Sequence, residues 1–251
     1  MTDTNNINDK LNGFLLINKP ESLSSYDCIR VIKKIIKNKL KIGHTGTLDN
    51  FATGLLIIAI GKATKQIDLF LNTDKEYIAT GKLHELTDTL DNTGNIILNN
   101  NNNNNNITLD TLTDTIKNFT GKYLQTPPIY SALKYNGEPL YKLAREKKLT
   151  EQELNTIIKD KTRECEIYNI KLIDYNYPFF TIKAHVSKGT YIRSLVDDIA
   201  QKLNTHATCY KLTRTKIGNI NIKDAINLDN LKNIQDIESK LINSNILLTK
   251  I

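Results

Sequence analysis

One short segment concentrates the residue types that could do chemistry. Residues 43–54, GHTGTLDNFATG, place His44 and Asp49 among three threonines and three glycines, just before the apolar run 55–60. Glycines let a backbone turn sharply, and polar side chains in a loop beside a buried strand are typical of functional loops. Asp49 could act on a substrate, or it could accept backbone N–H bonds in a capped turn. The spacing alone leaves both interpretations open.

Two further kinds of site fit this segment less well. The pattern contains neither Gly-x-Gly-x-x-Gly nor a Gly-Lys-Ser/Thr ending, which disfavours a phosphate-binding loop. A metal-dependent hydrolase would have to use His44, Asp49, His84 and His185, whose spacing matches no common ligand signature. We therefore expect no metal.

Charge and cysteine content bound the class of protein. The 251 residues include 34 Lys and Arg against 27 Asp and Glu, a net charge of +7, which favours a polyanionic partner or a solvated cationic surface. Cys28, Cys165 and Cys209 are odd in number and far apart, so neither a disulfide framework nor a zinc knuckle is indicated. The N-terminus lacks an apolar h-region, and the run 55–60 is too short to span a bilayer. We expect a soluble, cytoplasmic protein.

Periodicity predicts the elements that must position this loop. Residues 1–12 are predicted to be a disordered lead, and a helix capped by Ser24 or Ser25 should run through Ile36. Eight consecutive asparagines, 99–106, belong in a solvated loop. Further helices are predicted at 109–119, at 151–159 and from Tyr191 to about Asn204, and strands at 13–18, 55–60, 77–83, 95–98, 165–175, 179–186 and 217–222.

The order of these elements favours an α+β fold. Strands and helices alternate irregularly, without a regular βαβ rhythm, so we predict a mixed, largely antiparallel central sheet flanked by helices and loops. We place one catalytic domain at 13–230 and a short helical tail at 231–251.

Several motifs, taken together and in order, resemble the TruB-type pseudouridine synthases, which make pseudouridine in the T loop of tRNA. The segment with Asp49 is similar to the motif that carries the catalytic aspartate of that family. The likeness covers nearly all of residues 13–220. It continues in GFLLINKP at 13–20, around Lys75-Glu76-Tyr77, in TDTLDNTG at 87–94, in QTPPIYSALKYNGEPLYKLAR at 125–145, in SKGTYIRSLVDDIA at 187–200, and from Tyr210 to Thr215.

The resemblance implies an isomerase that acts on uridine at position 55 of tRNA. The N1–C1′ bond breaks, the uracil turns, and C5 joins the ribose, a reaction that consumes no redox or phosphate cofactor. By the resemblance Asp49 is the catalytic carboxylate. It could stabilise positive charge on the ribose, bond to the sugar, or help remove a 2′ proton, and the sequence does not choose among these routes.

The resemblance also assigns the other site residues. Tyr77 and Arg193 are the other two predicted catalytic residues: the Tyr77 ring would stack on the extruded base and its hydroxyl could take part in proton transfer at C5, and Arg193 would pair with the Asp49 carboxylate. Read as isolated residues, these would be a half-buried strand tyrosine and a surface helix arginine. The predicted RNA-binding residues are His44, Lys19 as a structural or phosphate contact, Tyr191 and Leu212 as apolar walls around the base, and Arg145.

Basic residues near the loop are candidates for phosphate contacts. Residues 125–160 resemble a thumb-like segment that closes over the T stem-loop. Lys147 and Lys148 follow Arg145 in this segment, and a solvated helix face remains the alternative for each cluster. A second lysine cluster precedes the loop: Lys33, Lys34, Lys37, Lys39 and Lys41.

Some features depart from the family pattern. Ser22 stands where the family has glycine and Asn50 where it has proline, which bears on loop rigidity. We expect a monomer without the C-terminal PUA domain that many relatives carry, and without a membrane partner. The alternative function is a non-catalytic tRNA-binding or RNA-chaperone protein with the same fold.

Overall fold

A computed structural model describes residues 11–37, 39–99 and 107–251. The strands are β1 (Gly13–Lys19), β2 (Ile42–His44), β3 (Thr53–Ile60), β4 (Lys75–Leu83), β5 (Glu85–Thr87), β6 (Ile96–Asn99), β7 (Gly121–Gln125), β8 (Lys134–Tyr135), β9 (Glu138–Pro139), β10 (Arg163–Asn176), β11 (Phe179–Val186), β12 (Ala207–Ile217), β13 (Ile220–Asn221) and β14 (Ile226–Asn227). The α-helices are α1 (Ser25–Ile36), α2 (Ile67–Leu71), α3 (Leu109–Lys117), α4 (Leu140–Arg145), α5 (Glu151–Asp160), α6 (Ile192–Gln201), α7 (Ile234–Lys240) and α8 (Ser244–Leu248). Short 3₁₀ turns lie at Gly61–Gln66, Ile222–Asp224 and Leu228–Asn230.

The chain forms two compact units. The first unit contains the residues up to Tyr77 together with Thr213–Ile251, and the second contains Ile78–Leu212. The unit boundaries fall inside β4 and β12, so both strands contribute to each unit. A large mixed sheet flanked by helices confirms the α+β prediction.

The first unit is built on the antiparallel pair β1 and β3. β2 joins β3 antiparallel, while β14 pairs parallel with β1 and the end of β12 pairs parallel with β3. Alternate residues of both strands form an apolar core in which the rings of Phe14 and Phe70 lie 4.8 Å apart. The other face is buried too, which explains why both strands are nearly continuous apolar runs in the sequence.

Helix α1 has the amphipathic pattern that the sequence predicts. Ser24 caps it, and Asp27 completes a capping box by accepting from the Ser24 backbone N–H. Cys28, Ile29, Ile32 and Ile36 are buried. The basic residues of the cluster Lys33, Lys34, Lys37, Lys39 and Lys41 are exposed.

The second unit contains the antiparallel ladder β7, β10 and β11, with β4 beside β11. Thr80 and Thr181 face each other there, with their hydroxyl oxygens 3.0 Å apart. Helix α6 is buried along almost its whole length. The thumb-like segment has a small core of its own, formed by Leu140, Leu143, Leu154 and Ile157.

Two predicted boundaries are wrong. Leu11 is fully buried and the Asn12 side chain accepts from the Ala63 N–H, so the ordered chain begins before the predicted end of the lead at residue 12. The strand predicted at 217–222 is interrupted at Gly218, whose φ is +52°, and the main strand there is β12. Residues 1–10 and 100–106, which include most of the predicted lead and asparagine loop, lie outside the described residues.

The predicted tail at 231–251 is part of the first unit. Leu231, Ile237 and Leu247 are buried, and Phe14 exchanges two backbone hydrogen bonds of 2.8 Å with Ile242. Apolar residues spaced too irregularly for one long helix make two short helices here, each contributing one side chain to the core. No helix within the described ranges is long and apolar enough to cross a membrane.

Candidate active site

The backbone around Asp49 is held on both sides. The Leu48 N–H donates to the Ser25 hydroxyl at 2.9 Å, and that hydroxyl lies 3.3 Å from the Leu48 carbonyl oxygen. On the other side, the Asn50 carbonyl accepts from the Ser22 N–H at 2.8 Å. The Asp49 side chain is partly exposed, whereas Leu48 is buried. The loop therefore presents one carboxylate from a backbone anchored at the residues before and after it.

Lys19 reinforces this anchor from within the first unit. Its side chain is fully buried, and its ammonium donates to the carbonyls of Pro20, Leu23 and Asn50 at 2.8, 2.6 and 3.3 Å. Burial lowers the pKa of Lys19, while Cys28 and Asp49 oppose that shift. Of the two roles predicted for Lys19, these contacts favour the structural one.

Arg214 is a second buried cation in the same unit. Its Nε donates to the Leu55 carbonyl at 2.8 Å and its Nη2 to the Gly46 carbonyl at 3.1 Å, so it joins β3 to the start of the loop. A Cβ on Gly54 would lie 2.4 Å from the Arg214 carbonyl oxygen, so only glycine fits there. The motif from Tyr210 to Thr215 was identified by resemblance, but this role of Arg214 was not predicted.

His44 and Tyr77 also belong to the first unit. The His44 Nδ1 accepts from the Gly46 N–H at 3.4 Å. Burial, with a smaller contribution from the nearby Arg214 charge, lowers the pKa of His44, which favours a neutral imidazole. Tyr77 lies on β4 and is partly exposed. Both side chains therefore offer partly exposed rings.

Arg193 lies in the second unit, in the first turn of α6, and is only 4% exposed. Its guanidinium donates to the Thr89 carbonyl and, at 2.8 Å, to the Tyr130 carbonyl. The Asp91 carboxylate lies 3.5 Å from Nη1. The orientation of the buried guanidinium is thus set by acceptors from two separate segments. The interpretation of Arg193 as a surface residue is wrong.

The TDTLDNTG segment at 87–94 supplies two of the groups that face the Arg193 guanidinium, the Thr89 carbonyl and the Asp91 carboxylate. Asp91 accepts from the Thr89 hydroxyl at 2.8 Å and from the Thr93 hydroxyl and N–H at 2.6 and 3.0 Å. The Thr87 hydroxyl donates to the Asp91 carbonyl at 2.7 Å. Thr89 and Thr93 thus fix the Asp91 carboxylate near Arg193, and Thr87 holds the Asp91 backbone, a positioning role that was not predicted for this motif.

The segment 125–130 runs along the first turn of α6. The Gln125 amide contacts both the N–H and the carbonyl of Tyr191, at 2.8 and 3.0 Å. The Ser194 hydroxyl donates to the Thr126 carbonyl at 3.0 Å. Together with the hydrogen bond from Arg193 to Tyr130, these contacts join the segment 125–130 to three successive parts of the start of α6: Tyr191, Arg193 and Ser194.

The remaining predicted RNA-binding residues also lie in the second unit. The Arg163 guanidinium lies over the partly exposed Tyr191 ring, 5.5 Å from its centroid. Leu212 is buried, and Arg145 is exposed at the end of α4. Lys148 is paired with Glu138 and Glu146 at 2.9 and 3.0 Å, so the basic charge of the thumb-like segment is partly balanced.

The metal-hydrolase alternative has no geometric support. Across residues 11–37, 39–99 and 107–251, no group of three or more His, Cys, Asp or Glu residues could hold a metal ion. His84 instead shares a hydrogen bond of 2.9 Å with the Thr205 hydroxyl and packs against Tyr177.

The predicted site residues divide between the two units. Asp49, Tyr77, His44 and Lys19 lie in the first, and Arg193, Tyr191, Leu212 and Arg145 lie in the second.

Comparison with known proteins gives a consistent family. Residues 33–192 match the model described as TruB family pseudouridylate synthase (N terminal domain). The chain is 42% identical over 228 residues to tRNA pseudouridine synthase B of Clostridium tetani, covering 90% of this chain and 75% of that protein. It is 44% identical to the proteins of that name from Francisella philomiragia and Clostridium acetobutylicum, covering 92% and 93% of this chain and 73% and 76% of theirs.

Solved structures share the fold at lower identity. A crystal structure of a Cbf5-Nop10-Gar1 complex gives a TM-score of 0.67 at 24% identity, over 93% of this chain and 60% of that one. The archaeal box H/ACA sRNP Nop10-Cbf5 complex gives 0.60 at 23% identity, over 87% and 52%. The chain therefore spans little more than half of those proteins. The likeness confirms the predicted pseudouridine synthase fold.

Proposed function

Because the chain belongs to the TruB family of pseudouridylate synthases, we propose that Asp49 is the carboxylate with which it isomerises uridine at position 55, in the T loop of tRNA. The enzyme class is that of its relatives: an isomerase that converts uridine in tRNA to pseudouridine. The observation that supports Asp49 is the loop itself, which presents a partly exposed carboxylate from a backbone pinned at Leu48 and Asn50.

The reaction requires such a carboxylate to be placed rather than merely present. Cleavage of the N1–C1′ bond leaves positive charge on the ribose, which a carboxylate can stabilise, trap covalently, or relieve by assisting loss of a 2′ proton. All three routes need the oxygen atoms of Asp49 within contact distance of the sugar, and a pre-positioned charge costs no reorganisation during reaction. The chain's own side chains supply this chemistry.

Arg193 is proposed to pair with the Asp49 carboxylate. Its guanidinium is buried and is oriented by Thr89, Tyr130 and Asp91, so its planar set of donors has a defined direction. A guanidinium presented in this way suits a bidentate carboxylate contact. Tyr77 is proposed to stack on the uracil after it leaves the RNA stack.

The other RNA contacts are proposed to hold the flipped conformation. Extrusion of a base costs a few kcal/mol, which contacts to the flanking nucleotides must offset. Neutral His44, the Tyr191 ring and Leu212 would contact the base or its neighbours. The exposed Arg145 and the lysine cluster around 33–41 would contact phosphates.

We further propose that the enzyme acts in the cytoplasm as a monomer and without a metal. Addition of a chelator should therefore leave its activity unchanged.

A substitution at position 49 tests the function. Tritium release from tRNA labelled at C5 of uridine reports isomerisation, and Asp49→Asn should lower it by about a thousandfold or more. Asp229→Asn, the same change at an exposed position, should release tritium at the wild-type rate. Full release from Asp49→Asn would overturn the catalytic assignment. No release from the wild type, with tRNA still bound, would favour the RNA-chaperone alternative.

The target position has its own measurement. Pseudouridine mapping of tRNA incubated with the protein should find the modification at position 55, and a transcript with cytidine at that position should gain none. Modification of the altered transcript at another uridine would contradict the assignment to position 55.

A further inference from the structure

A buried hydrogen-bonded chain in the second unit ends on the peptide of Tyr191. Gln125 is 1% exposed. Its Oε1 accepts from the Tyr191 N–H at 2.8 Å, and its Nε2 donates to the Tyr191 carbonyl at 3.0 Å. The same Nε2 donates to the Tyr123 hydroxyl, and the Tyr123 hydroxyl is hydrogen-bonded to Asp198 on α6.

Only an amide of this length satisfies these partners. The two Nε2 hydrogens go to the Tyr191 carbonyl and to Tyr123, while Oε1 accepts from the Tyr191 N–H and lies 3.8 Å from the Cys165 thiol, a distance that suits a weak hydrogen bond. A carboxylate would have no hydrogen to donate, and an asparagine would be one methylene too short. The amide therefore pairs with one residue as a neighbouring strand would.

We propose that Gln125 is a positioning residue for isomerisation, acting by holding the Tyr191 peptide and with it the first turn of α6, which carries Arg193. The inference rests on the proposed function, since it assumes that Tyr191 and Arg193 meet the substrate. It extends that function by giving Gln125, the first residue of the motif QTPPIY at 125–130, a positioning role that the proposed reaction does not assign to any residue. A misplacement of about 1 Å in a catalytic group can cost about 100-fold in rate.

The groups around Gln125 support this role. Burial raises the pKa of Tyr123 well above its ordinary range, so its hydroxyl keeps the proton that it donates to Asp198. Burial and the neighbouring Asp197 raise the pKa of Asp198 to about 7, while Lys202 acts in the opposite direction. The Cys165 thiol faces Gln125 from β10. In the register of β7 and β10, the residue directly opposite Gln125 is Arg163.

Gln125→Glu tests the proposal through its dependence on pH. The glutamate would sit in the same buried position, so its pKa should rise, and its proton should restore one donor as the pH falls from about 8.5 to about 6. We expect the single-turnover rate to fall about 10- to 100-fold at the higher pH and to recover towards wild type at the lower pH. The rate is expressed relative to wild type at each pH, which cancels titrations common to both.

Two measurements separate positioning from simple loss of structure. The dissociation constant for tRNA should stay within about twofold of wild type, because phosphate contacts elsewhere provide most of the affinity. Gln235→Glu, the same change at an exposed position on α7, should match wild type at every pH. A loss of rate in Gln125→Glu that does not shrink as the pH falls, or no loss at all, would overturn the proposal.

A second variant decides the case in which Gln125→Glu does not fold. Tyr123→Phe keeps the ring but removes the acceptor that fixes the Gln125 amide. A lower single-turnover rate with unchanged tRNA affinity supports the proposal, and a wild-type rate overturns it. Wild type and Asp49→Asn in the same assay report on the function itself, so a failure of the positioning role is distinguishable from a failure of the reaction.

Discussion

At the scale of single residues, two buried cations in the first unit, Lys19 and Arg214, donate hydrogen bonds to backbone carbonyls. Lys19 donates to three carbonyls and Arg214 to two, and all five acceptors belong to the loop that carries Asp49 or to the segments beside it. A buried charge is tolerated only when it is well paired, and carbonyl oxygens do this here without cancelling the charge. The positive charges of Lys19 and Arg214 are thus not cancelled by a carboxylate in these hydrogen bonds.

Ser22 carries backbone strain in the same region. Its φ is +70°, a left-handed conformation that costs a residue with a Cβ about 1–2 kcal/mol. Ser22→Gly removes that strain but adds freedom to the unfolded chain, so we expect a net stabilisation of about 0.5–1 kcal/mol. Urea unfolding measures it. Ser239→Gly, inside α7, should instead destabilise by about 0.5–1 kcal/mol, and the same sign at both positions would contradict this account.

At the scale of elements, the N-terminus of α1 does two separate jobs with adjacent serines. Ser24 caps the helix through its bond to the Asp27 N–H, and Ser25 reaches the loop at Leu48. One helix end thereby anchors both itself and the backbone next to Asp49. The helix thereby adds to the hydrogen bonds that Lys19 and Arg214 make to the same loop.

The two serines form a matched pair of variants. Ser25→Ala leaves the buried Leu48 N–H without its acceptor, so we expect a loss of about 1–3 kcal/mol and a tenfold or greater drop in single-turnover rate, on the order of what misplaced catalytic groups cost.

Ser24→Ala loses only the cap, about 1 kcal/mol, and should turn over at the wild-type rate. Denaturant unfolding and tritium release together separate the two effects. Equal rates in the two variants would show that the Ser25 contact does not position Asp49.

At the scale of the whole molecule, the buried ionisable groups make stability depend on pH. Asp197 is satisfied by the Ala207 N–H, the Gln201 amide and His206. Asp198 lies next to it with its pKa raised to about 7 by burial first and by Asp197 second. Since the folded-state pKa exceeds the unfolded value, the protonated group stabilises the fold at low pH.

That contribution is complete below about pH 4 and is lost as the pH rises through about 7. Asp198→Asn keeps an acceptor for Tyr123 and does not titrate. The difference in free energy of unfolding, variant minus wild type, should therefore increase by about 1–3 kcal/mol from pH 5 to pH 8. Denaturant titrations at several pH values measure the difference, and a difference that is constant with pH would contradict the raised pKa.

Much of the fold follows from the sequence because the core elements carry strong local patterns. The continuous apolar runs of β1 and β3, the amphipathic α1, and the two alternating strands β10 and β11 were predicted within a few residues. β12 was missed because its buried positions include Thr208 and Arg214, which no hydrophobic pattern marks. Residues 231–251 were assigned to a short helical tail outside the catalytic domain because their three buried side chains, Leu231, Ile237 and Leu247, are far apart in sequence.

The candidate site divides in the same way. Reactive residue types in family order, above all Asp49, Tyr77 and Arg193, are a property of the sequence and were named from it. The residues that hold these side chains or their backbone in place were decided by tertiary structure, because the hydrogen bonds involved join residues that are distant in the chain. Ser25 reaches Leu48 across 23 positions, Gln125 reaches Tyr191 across 66, and Arg214 reaches Gly46 across 168. No local pattern encodes a partner at such a distance, since only folding brings the two groups together.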